Sequence, residues 1–249
     1  IFDPHIGYIR LSDFRENTPK DLQAAIDQLK AKEMDSLILD LRNNPGGLLD
    51  VAVTAAELFL DRQQLIVTTK GRLRSQNLEF RSKRDGVLSS LQVVVLVNEG
   101  SASASEILAG AIQDHHRGII LGTKSHGKAS VQTIFPLKDG SALRLTTSKY
   151  FTPAGRSIHG EGIAPDVVVP FEEPAKKKAG EKAAEEVFDN LEQPNPEAET
   201  ENPSSENPAP EKPSTEKPSG VVMDNQLARA VDLLKGIKVY QGGRKTATP

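Results

Sequence analysis

A short serine-rich segment contains the first residue that can do chemistry. The segment Asn98–Glu106 has the sequence NEGSASASE, and its central serine is Ser103. Ser103 and Glu106 have the S-x-x-E spacing of a helix capping box, and this pattern alone favours that structural role. The catalytic interpretation is that Ser103 attacks a carbonyl, because unpaired N–H groups at a helix start can bind the resulting oxyanion. Small neighbours would let a substrate backbone approach: Gly100, Ala102 and Ala104.

A lysine that follows Ser103 by 25 residues (128 − 103) is the candidate base. Most lysines are solvated surface residues, but apolar strand-like sequence follows Lys128, so we expect it to be partly buried. Burial disfavours the ammonium, and a neutral lysine can accept the proton of a serine hydroxyl. Gln132 shares a face with Lys128 in either a strand or a helix, and its amide oxygen can accept a hydrogen bond from the lysine.

The loop RNNPGG at residues 42–47 follows a predicted buried strand. It is a tight turn in one interpretation and a source of a backbone N–H for the reacting carbonyl in another, and both can hold. Among the 5 histidines, His126 is the rival base, because Ser-His-Asp is the commoner hydrolase arrangement. The others are predicted at a helix end or in loops: His115, His116, His5 and His159. No metal-binding or nucleotide-binding motif occurs, so we expect no cofactor.

The elements that must position these residues alternate between strand and helix. Hydrophobic patterns predict strands at 6–11, 36–41, 64–70, 92–97 and 118–122. They also predict three helices. The first starts near Pro19 and has an apolar face formed by Leu22, Ala25, Ile26 and Leu29, and the other two cover residues 48–60 and 103–115. Two further strands, 130–137 and 142–151, flank a turn at Lys138-Asp139-Gly140. The alternation predicts an α/β layer structure with added β-hairpins.

Composition excludes several classes of protein. The 249 residues contain 0 cysteines, which excludes disulfides, thiolate zinc sites and a cysteine nucleophile. A formal net charge of -3 argues against a nucleic-acid partner. The sequence contains no apolar run of about 18 residues, so we predict no transmembrane segment in this chain.

The C-terminal third differs from the rest of the chain. Residues 172–220 hold 8 of the 16 prolines, with 13 acidic and 6 basic side chains, and they are predicted to form a disordered linker. Residues 221–249 are predicted to contain a helix, which is marginal alone in water. Its apolar face must therefore be covered by the core or by another subunit: Leu227, Ala230, Val231 and Leu234.

Four segments resemble, in order, the conserved blocks of the carboxy-terminal processing (tail-specific) serine peptidases of bacterial type. The segments are LILDLRNNPGG, VNEGSASASEILAGA, GTKSHGKASVQT and YFTPAGRSIHGEGIAPD, and the resemblance covers roughly residues 6–170. The C-terminal MDNQLARAVDLLK is similar to the end segment of bacterial members. Four blocks in one order are a far more specific signal than any one of them.

The resemblance implies roles for individual residues. It makes Ser103 the nucleophile, in preference to Ser101 and Ser105, and it makes Lys128 the base. It makes Gln132 the residue that positions this lysine. The oxyanion hole would be formed by two backbone N–H groups, those of Gly47 and Ala104. No metal and no cofactor is implied.

The resemblance also implies a fold and a function. Residues 1–171 would form a peptidase core of the crotonase/ClpP-like ββα type, with an upstream PDZ domain absent from this chain. The activity would be an endopeptidase that cleaves protein or peptide substrates near their C-termini. An activating adaptor protein and a homo-oligomer formed through the C-terminal helix are further implied partners, and the location would be periplasmic or otherwise extracytoplasmic.

One alternative function comes from a different class. Related cores serve as non-catalytic ligand-binding or protein-binding modules on the same fold. The presence of Ser103, Lys128 and Gln132 together argues against this alternative, because a binding module has no need of all three.

Overall fold

The structure is a computed structural model that describes residues 5–88, 90–173 and 223–245. Its elements alternate as the sequence predicts in the first half of the chain and become strand-rich in the second. In chain order they are β1 (Ile6–Arg10), α1 (Thr18–Lys30), β2 (Ser36–Asp40), α2 (Leu49–Ala56), β3 (Leu65–Gly71), a 3₁₀ turn (Arg74–Gln76), β4 (Leu78–Arg81), β5 (Gln92–Val97), α3 (Ala104–Asp114), β6 (Ile119–Gly122), β7 (Ser130–Pro136), β8 (Ala142–Phe151), β9 (Val167–Val168) and α4 (Asn225–Lys245).

A parallel sheet in the order β1-β2-β5-β6-β9 forms the centre of the fold. Its strands β2 and β5 are buried on both faces, as their continuous apolar runs predict. In β2, Leu37 and Leu39 face one hydrophobic cluster, whereas Ile38 faces the other. The sheet therefore separates two cores.

The first core contains α1, α2 and α3. Helix α1 has Pro19 in its first turn and buries Leu22 and Ile26, as predicted. Helix α2 ends at Ala56, earlier than the predicted limit of residue 60. After α2 the backbone follows a 3₁₀-like turn, because the N–H groups of Leu58 and Phe59 donate to carbonyls three residues earlier. The side chains of Leu58, Phe59 and Leu60 are nevertheless buried in the core.

A second, antiparallel sheet has the order β4-β3-β8-β7. The predicted turn at Lys138-Asp139-Gly140 joins β7 to β8, and Gly140 adopts a φ of +85° there. Strands β4 and β9 were not predicted, since β4 is short and largely exposed and β9 has only 2 residues. Strand β7 forms a free edge of this sheet.

Helix α4 covers the other face of the parallel sheet. Its predicted apolar face is buried against the chain's own strands: Leu227, Ala230, Val231 and Leu234 pack on Ile6, Ile38, Val94, Leu96 and Leu121. The core, and not another subunit, therefore covers this face, which removes it as the basis for an oligomer. No helix among the described residues combines the length and the apolar character that crossing a membrane requires.

The described residues up to Glu172 and from Asp224 onward belong to one compact unit. The linker predicted at 172–220 lies, apart from its first two residues, outside the described residues. The coarse fold prediction is confirmed, because parallel and antiparallel sheets combine with helices and a C-terminal helix.

Candidate active site

Three neighbouring parallel strands deliver the candidate residues to one edge of the sheet. Strands β2, β5 and β6 lie side by side, and each ends in a loop at its carboxyl end. The loop after β2 contains residues 42–47, the loop after β5 leads to Ser103, and the loop after β6 leads to Lys128. Ligands of parallel sheets bind at this edge, so the topology itself brings the sequence motifs together.

Ser103 occupies a strained backbone conformation at the start of α3. Its φ is 55° and its ψ is -111°, which costs a residue other than glycine about 1–3 kcal/mol. One half of the predicted capping box forms, because the Ser103 N–H donates to Glu106 Oε2 at 2.8 Å, whereas the Glu106 N–H donates to the Ser103 backbone carbonyl at 2.9 Å. The structural and catalytic interpretations of this segment are therefore compatible, because the cap holds the strained serine in place.

The neighbouring serines have structural contacts. Ser101 is fully buried and its hydroxyl donates to the Leu41 carbonyl at 2.8 Å. Ser105 is also fully buried, and its hydroxyl donates to the Asn44 carbonyl at 3.0 Å. Ser103 alone of the three lines the cleft described below. The geometry thus favours the central serine on grounds independent of any resemblance.

Glycines allow the loop after β2 to press against the nucleophile segment. A Cβ on Gly46, where φ is +96°, would lie 2.6 Å from the Ala102 carbonyl oxygen and 2.8 Å from the Ala104 nitrogen. A Cβ on Gly47 would lie 2.1 Å from the Phe14 carbonyl oxygen. Both approaches are too close for any side chain, so these positions require glycine.

The backbone N–H groups of the glycine loop and of the first residue of α3 differ in whether they already have a hydrogen-bond partner. The Gly46 N–H donates to Asn44 Oδ1 at 2.9 Å and is already used. For the N–H groups of Gly47 and Ala104, no hydrogen-bond partner exists among the residues that the structure describes. This difference favours Gly47 over Gly46 as the donor from the loop, together with Ala104 at the start of α3.

Glu106 joins the nucleophile helix to the loop of the candidate base. Its carboxylate is 1% exposed and accepts hydrogen bonds at both oxygens. Oε1 accepts from the Ser125 hydroxyl at 2.6 Å and from the Gly127 N–H at 2.6 Å. Oε2 accepts from Ser103 N–H at 2.8 Å and from Lys128 N–H at 2.9 Å. The spacing of the sequence indicates only the capping part of this role.

Ser103, Lys128, Gln132 and Gly47 line one cleft of about 510 Å³. Lys128 is exposed, which corrects the expectation that it is partly buried. The reason is that Lys128 lies at the end of the loop after β6, two residues before β7, which is an edge strand of its sheet. No hydrogen bond joins Lys128 Nζ to Ser103 Oγ or to Gln132 among the described residues, so these side chains share the cleft without bonding to one another.

The rest of the cleft lining combines apolar side chains with a second cation. Its described lining contains no carboxylate, and its second cation is Arg144 on β8; the remaining lining residues are Pro45, Gly46, Leu48, Leu49, Ser130, Val131 and Tyr150. Burial, and then the charge of Asp50, raises the pKa of Tyr150, so its hydroxyl stays protonated.

The rival base lies elsewhere. His126 is exposed and is not among the residues that line the cleft. His115 Nε2 lies 2.6 Å from the Leu65 carbonyl oxygen, which gives that ring a structural contact. Within the described part of the chain, no three potential metal-ligating side chains come together.

A family model described as Peptidase family S41 matches residues 5–169, which is more than half of the chain. The chain belongs to peptidase family S41. The matched region contains all the predicted site residues, and the resemblance to carboxy-terminal processing peptidases is confirmed.

Similar S41 proteins carry names of the same kind. A carboxy-terminal-processing protease of Bartonella bacilliformis is 50% identical over 177 residues, which are 70% of this chain and 41% of that protein. A carboxyl-terminal-processing protease of Synechocystis is 44% identical over 164 residues, which are 66% of this chain and 38% of that protein. The chain thus spans less than half the length of these relatives.

A solved S41 structure supports the fold assignment. The photosystem II D1 C-terminal processing protease matches with a TM-score of 0.62 at 38% identity, over 66% of this chain and 42% of that chain. The mixed α/β core described above is therefore an S41 core.

Proposed function

We propose that this chain is the catalytic core of a serine endopeptidase that cleaves protein substrates near their C-termini, with Ser103 as nucleophile and Lys128 as base. One observation carries the proposal: Ser103, Lys128 and Gly47, delivered by adjacent parallel strands, line the same cleft. Family membership supports the reaction class.

The proposed reaction has two halves. Neutral Lys128 takes the proton of the Ser103 hydroxyl as Oγ attacks the peptide carbonyl, and the oxyanion accepts hydrogen bonds from the Gly47 and Ala104 N–H groups. The protonated lysine then gives its proton to the leaving amine, and an acyl-enzyme remains. Water attacks the ester with Lys128 again as base, which releases the new carboxyl terminus and restores Ser103.

Substrate binding has a second task in this mechanism. Lys128 is exposed to water in the open cleft. A peptide that fills the cleft removes that water, and desolvation favours the neutral amine that the reaction needs. Gln132, exposed on the same wall, is proposed to orient the lysine once the cleft is filled.

The first experiment is cleavage of casein by the full chain and by Ser103→Ala. We expect the variant to lose proteolysis and to keep its fold, since the removed hydroxyl lines a cleft rather than the core. Ser75→Ala is the matched control, because Ser75 is an exposed serine that does not line the cleft. Retained activity in Ser103→Ala would end the proposal.

A second candidate function is a non-catalytic binding module on the same core. The observation that favours it is that no hydrogen bond joins Ser103 Oγ to Lys128 Nζ among the described residues. A chain that cleaves nothing, yet binds extended peptides equally well with and without the Ser103 hydroxyl, would support this candidate.

We further infer, from the family, a crotonase/ClpP-like arrangement of the core and a periplasmic or otherwise extracytoplasmic location. An activating adaptor and a homo-oligomer remain proposals at the scale of the longer protein. The domain limits 1–171, 172–220 and 221–249 likewise remain predictions, although α4 belongs to the same compact unit as the core.

A further inference from the structure

We propose that Asp224 and Gln226, at the start of α4, are positioning residues for the oxyanion-hole loop and act on it through Arg42. The inference rests on the proposed function, because it assigns these residues a part in that reaction. It makes the C-terminal helix a component of the active site, although the helix packs on the face of the sheet opposite α1, α2 and α3.

Arg42 is held from two sides. Its Nε and Nη2 donate to the two oxygens of Asp40 at 3.0 Å and 2.7 Å. Its Nη1 donates to Asp224 Oδ2 at 2.8 Å and to Gln226 Oε1 at 2.9 Å. We call Asp40, Arg42, Asp224 and Gln226 the Arg42 clamp. One half of the clamp belongs to β2 and its loop, and the other half belongs to the start of α4.

The clamp is largely removed from water. The side chains of Arg42, Asp40 and Asp224 are 11%, 1% and 13% exposed, and Gln226 is 1% exposed. Burial opposes the charge of Arg42, but hydrogen bonds and charges from Asp40 and then Asp224 raise its pKa above the ordinary value. A buried guanidinium that loses one of these partners keeps its charge and must find other acceptors, so it moves.

Movement of Arg42 reaches the reaction centre through a short chain of contacts. The next residue, Asn43, donates its N–H to Asn98 Oδ1 at 2.8 Å. Asn44 Oδ1 then accepts a hydrogen bond from the Gly46 N–H. Gly46 in turn packs closely against the backbone of Ala102 and Ala104. A displacement of about 1 Å at a reacting group can cost roughly 10²-fold in rate, so small shifts matter here.

Asp224 has two separable tasks. Oδ1 accepts the Leu227 N–H at 2.8 Å and caps α4, whereas Oδ2 accepts from Arg42. Asparagine caps a helix about as well as aspartate. Asp224→Asn can therefore keep the cap while it replaces the charged acceptor that faces Arg42 with an uncharged NH₂ donor.

The chain also offers a matched control. Lys238 pairs with Asp35 at 2.5 Å, so this ion pair also fastens α4 to the body of the protein. Neither residue lines the cleft or contacts the loop at 42–47. Lys238→Met thus removes an anchor of the helix without touching the clamp.

The test compares the full chain with Asp224→Asn and with Lys238→Met in two measurements. Amide hydrogen exchange follows the N–H groups of Arg42, Asn43, Asn44 and Gly46, each of which donates a hydrogen bond. Casein cleavage supplies kcat and KM. We expect Asp224→Asn to speed exchange of these amides by about tenfold, without equal loosening of α4, and to lower kcat by about tenfold at unchanged KM. Lys238→Met should change neither.

Exchange in the loop that is unchanged by Asp224→Asn, or changed equally by Lys238→Met, would overturn the inference. The exchange measurement needs no turnover, so it decides the matter even if the chain proves inactive and the proposed function fails. If Asp224→Asn does not fold, Gln226→Met keeps the apolar part of the buried side chain and is measured in the same way.

Discussion

At Ser103 a strained backbone and a buried carboxylate meet. Sequence alone identifies this serine as a helix cap, and the resemblance adds its role as nucleophile. Neither predicts that Ser101 and Ser105 have structural contacts or that Glu106 reaches the loop before Lys128. These contacts join segments that are distant in the sequence, so no local pattern can reveal them. The exposure of Lys128 was mispredicted because the apolar-looking sequence after it forms β7, which lies at the edge of its sheet.

Glu106→Gln is expected to disable the site and weaken the fold. An amide replaces one acceptor oxygen with a donor, so two of the four donors around this buried carboxylate would face an NH₂ group. Unsatisfied buried donors cost about 1–3 kcal/mol each. Urea unfolding and casein cleavage measure the two effects.

Glu99→Gln is the control for this prediction. Glu99 is exposed and accepts from Thr123 Oγ1 at 3.0 Å, on the loop that leads to Lys128. We expect little change there. A Glu106→Gln variant as stable and active as Glu99→Gln would contradict the assigned role.

Lys128→Arg is expected to abolish cleavage, with a loss of at least about 10³-fold in kcat. Arginine keeps the positive charge but cannot deprotonate to act as a base. His126→Ala should remain active, since His126 does not line the cleft. The reverse pattern, with an active Lys128→Arg and an inactive His126→Ala, would transfer the role of base to the histidine.

At the scale of elements, the sequence predicts best where apolar runs are long. Strands β2 and β5 and helix α1 follow their patterns because each buries a continuous face. Strand β9 has only 2 residues, and α2 ends where backbone bonding tightens and not where apolar residues stop. The hairpin of β7 and β8 was predicted as a unit and Gln132 was expected at the site, but the position of Arg144 in the lining of the cleft was not predicted.

The cleft wall formed by this hairpin is expected to favour acidic substrates. Arg144 lines the cleft and has no carboxylate partner among the described residues. A peptide with glutamate beside the scissile segment should be cleaved with kcat/KM about two- to fivefold above its glutamine counterpart, as suits an exposed ion pair. The preference should shrink as salt is added.

Arg144→Glu should reverse this preference without abolishing cleavage. Lys149→Glu is the matched control, because Lys149 is an exposed cation of β8 that does not line the cleft. Equal selectivity in the two variants would assign the preference to overall charge and not to Arg144.

At the scale of the whole molecule, α4 completes the fold from a distant part of the sequence. The helix was predicted from its apolar face, but the sequence left two partners open, the core and another subunit. Only the three-dimensional arrangement identifies the sheet face that receives it. The family blocks alone do not reveal that the start of this helix contacts Arg42, because that contact spans 182 residues.

A chain that ends at residue 173 is expected to be unstable and prone to self-association. It would expose the apolar face formed by Ile6, Ile38, Val94, Leu96 and Leu121. A separate peptide of residues 221–249 should bind to it and raise its thermal midpoint. Calorimetry and light scattering would detect both effects. A shortened chain with the mass and stability of the full one would contradict this account of α4.

The chain leaves the core and returns to it at nearly the same point. The Glu172 N–H donates to Asn225 Oδ1 at 3.1 Å, and Asn225 Nδ2 donates to the Pro170 carbonyl at 2.8 Å. Each doubling of a segment closed in this way costs only about 0.6 kcal/mol. In evolutionary terms, the length of the stretch between these anchors is therefore under little constraint from the fold. Descendants of one ancestor can differ in that length while the anchors themselves stay fixed.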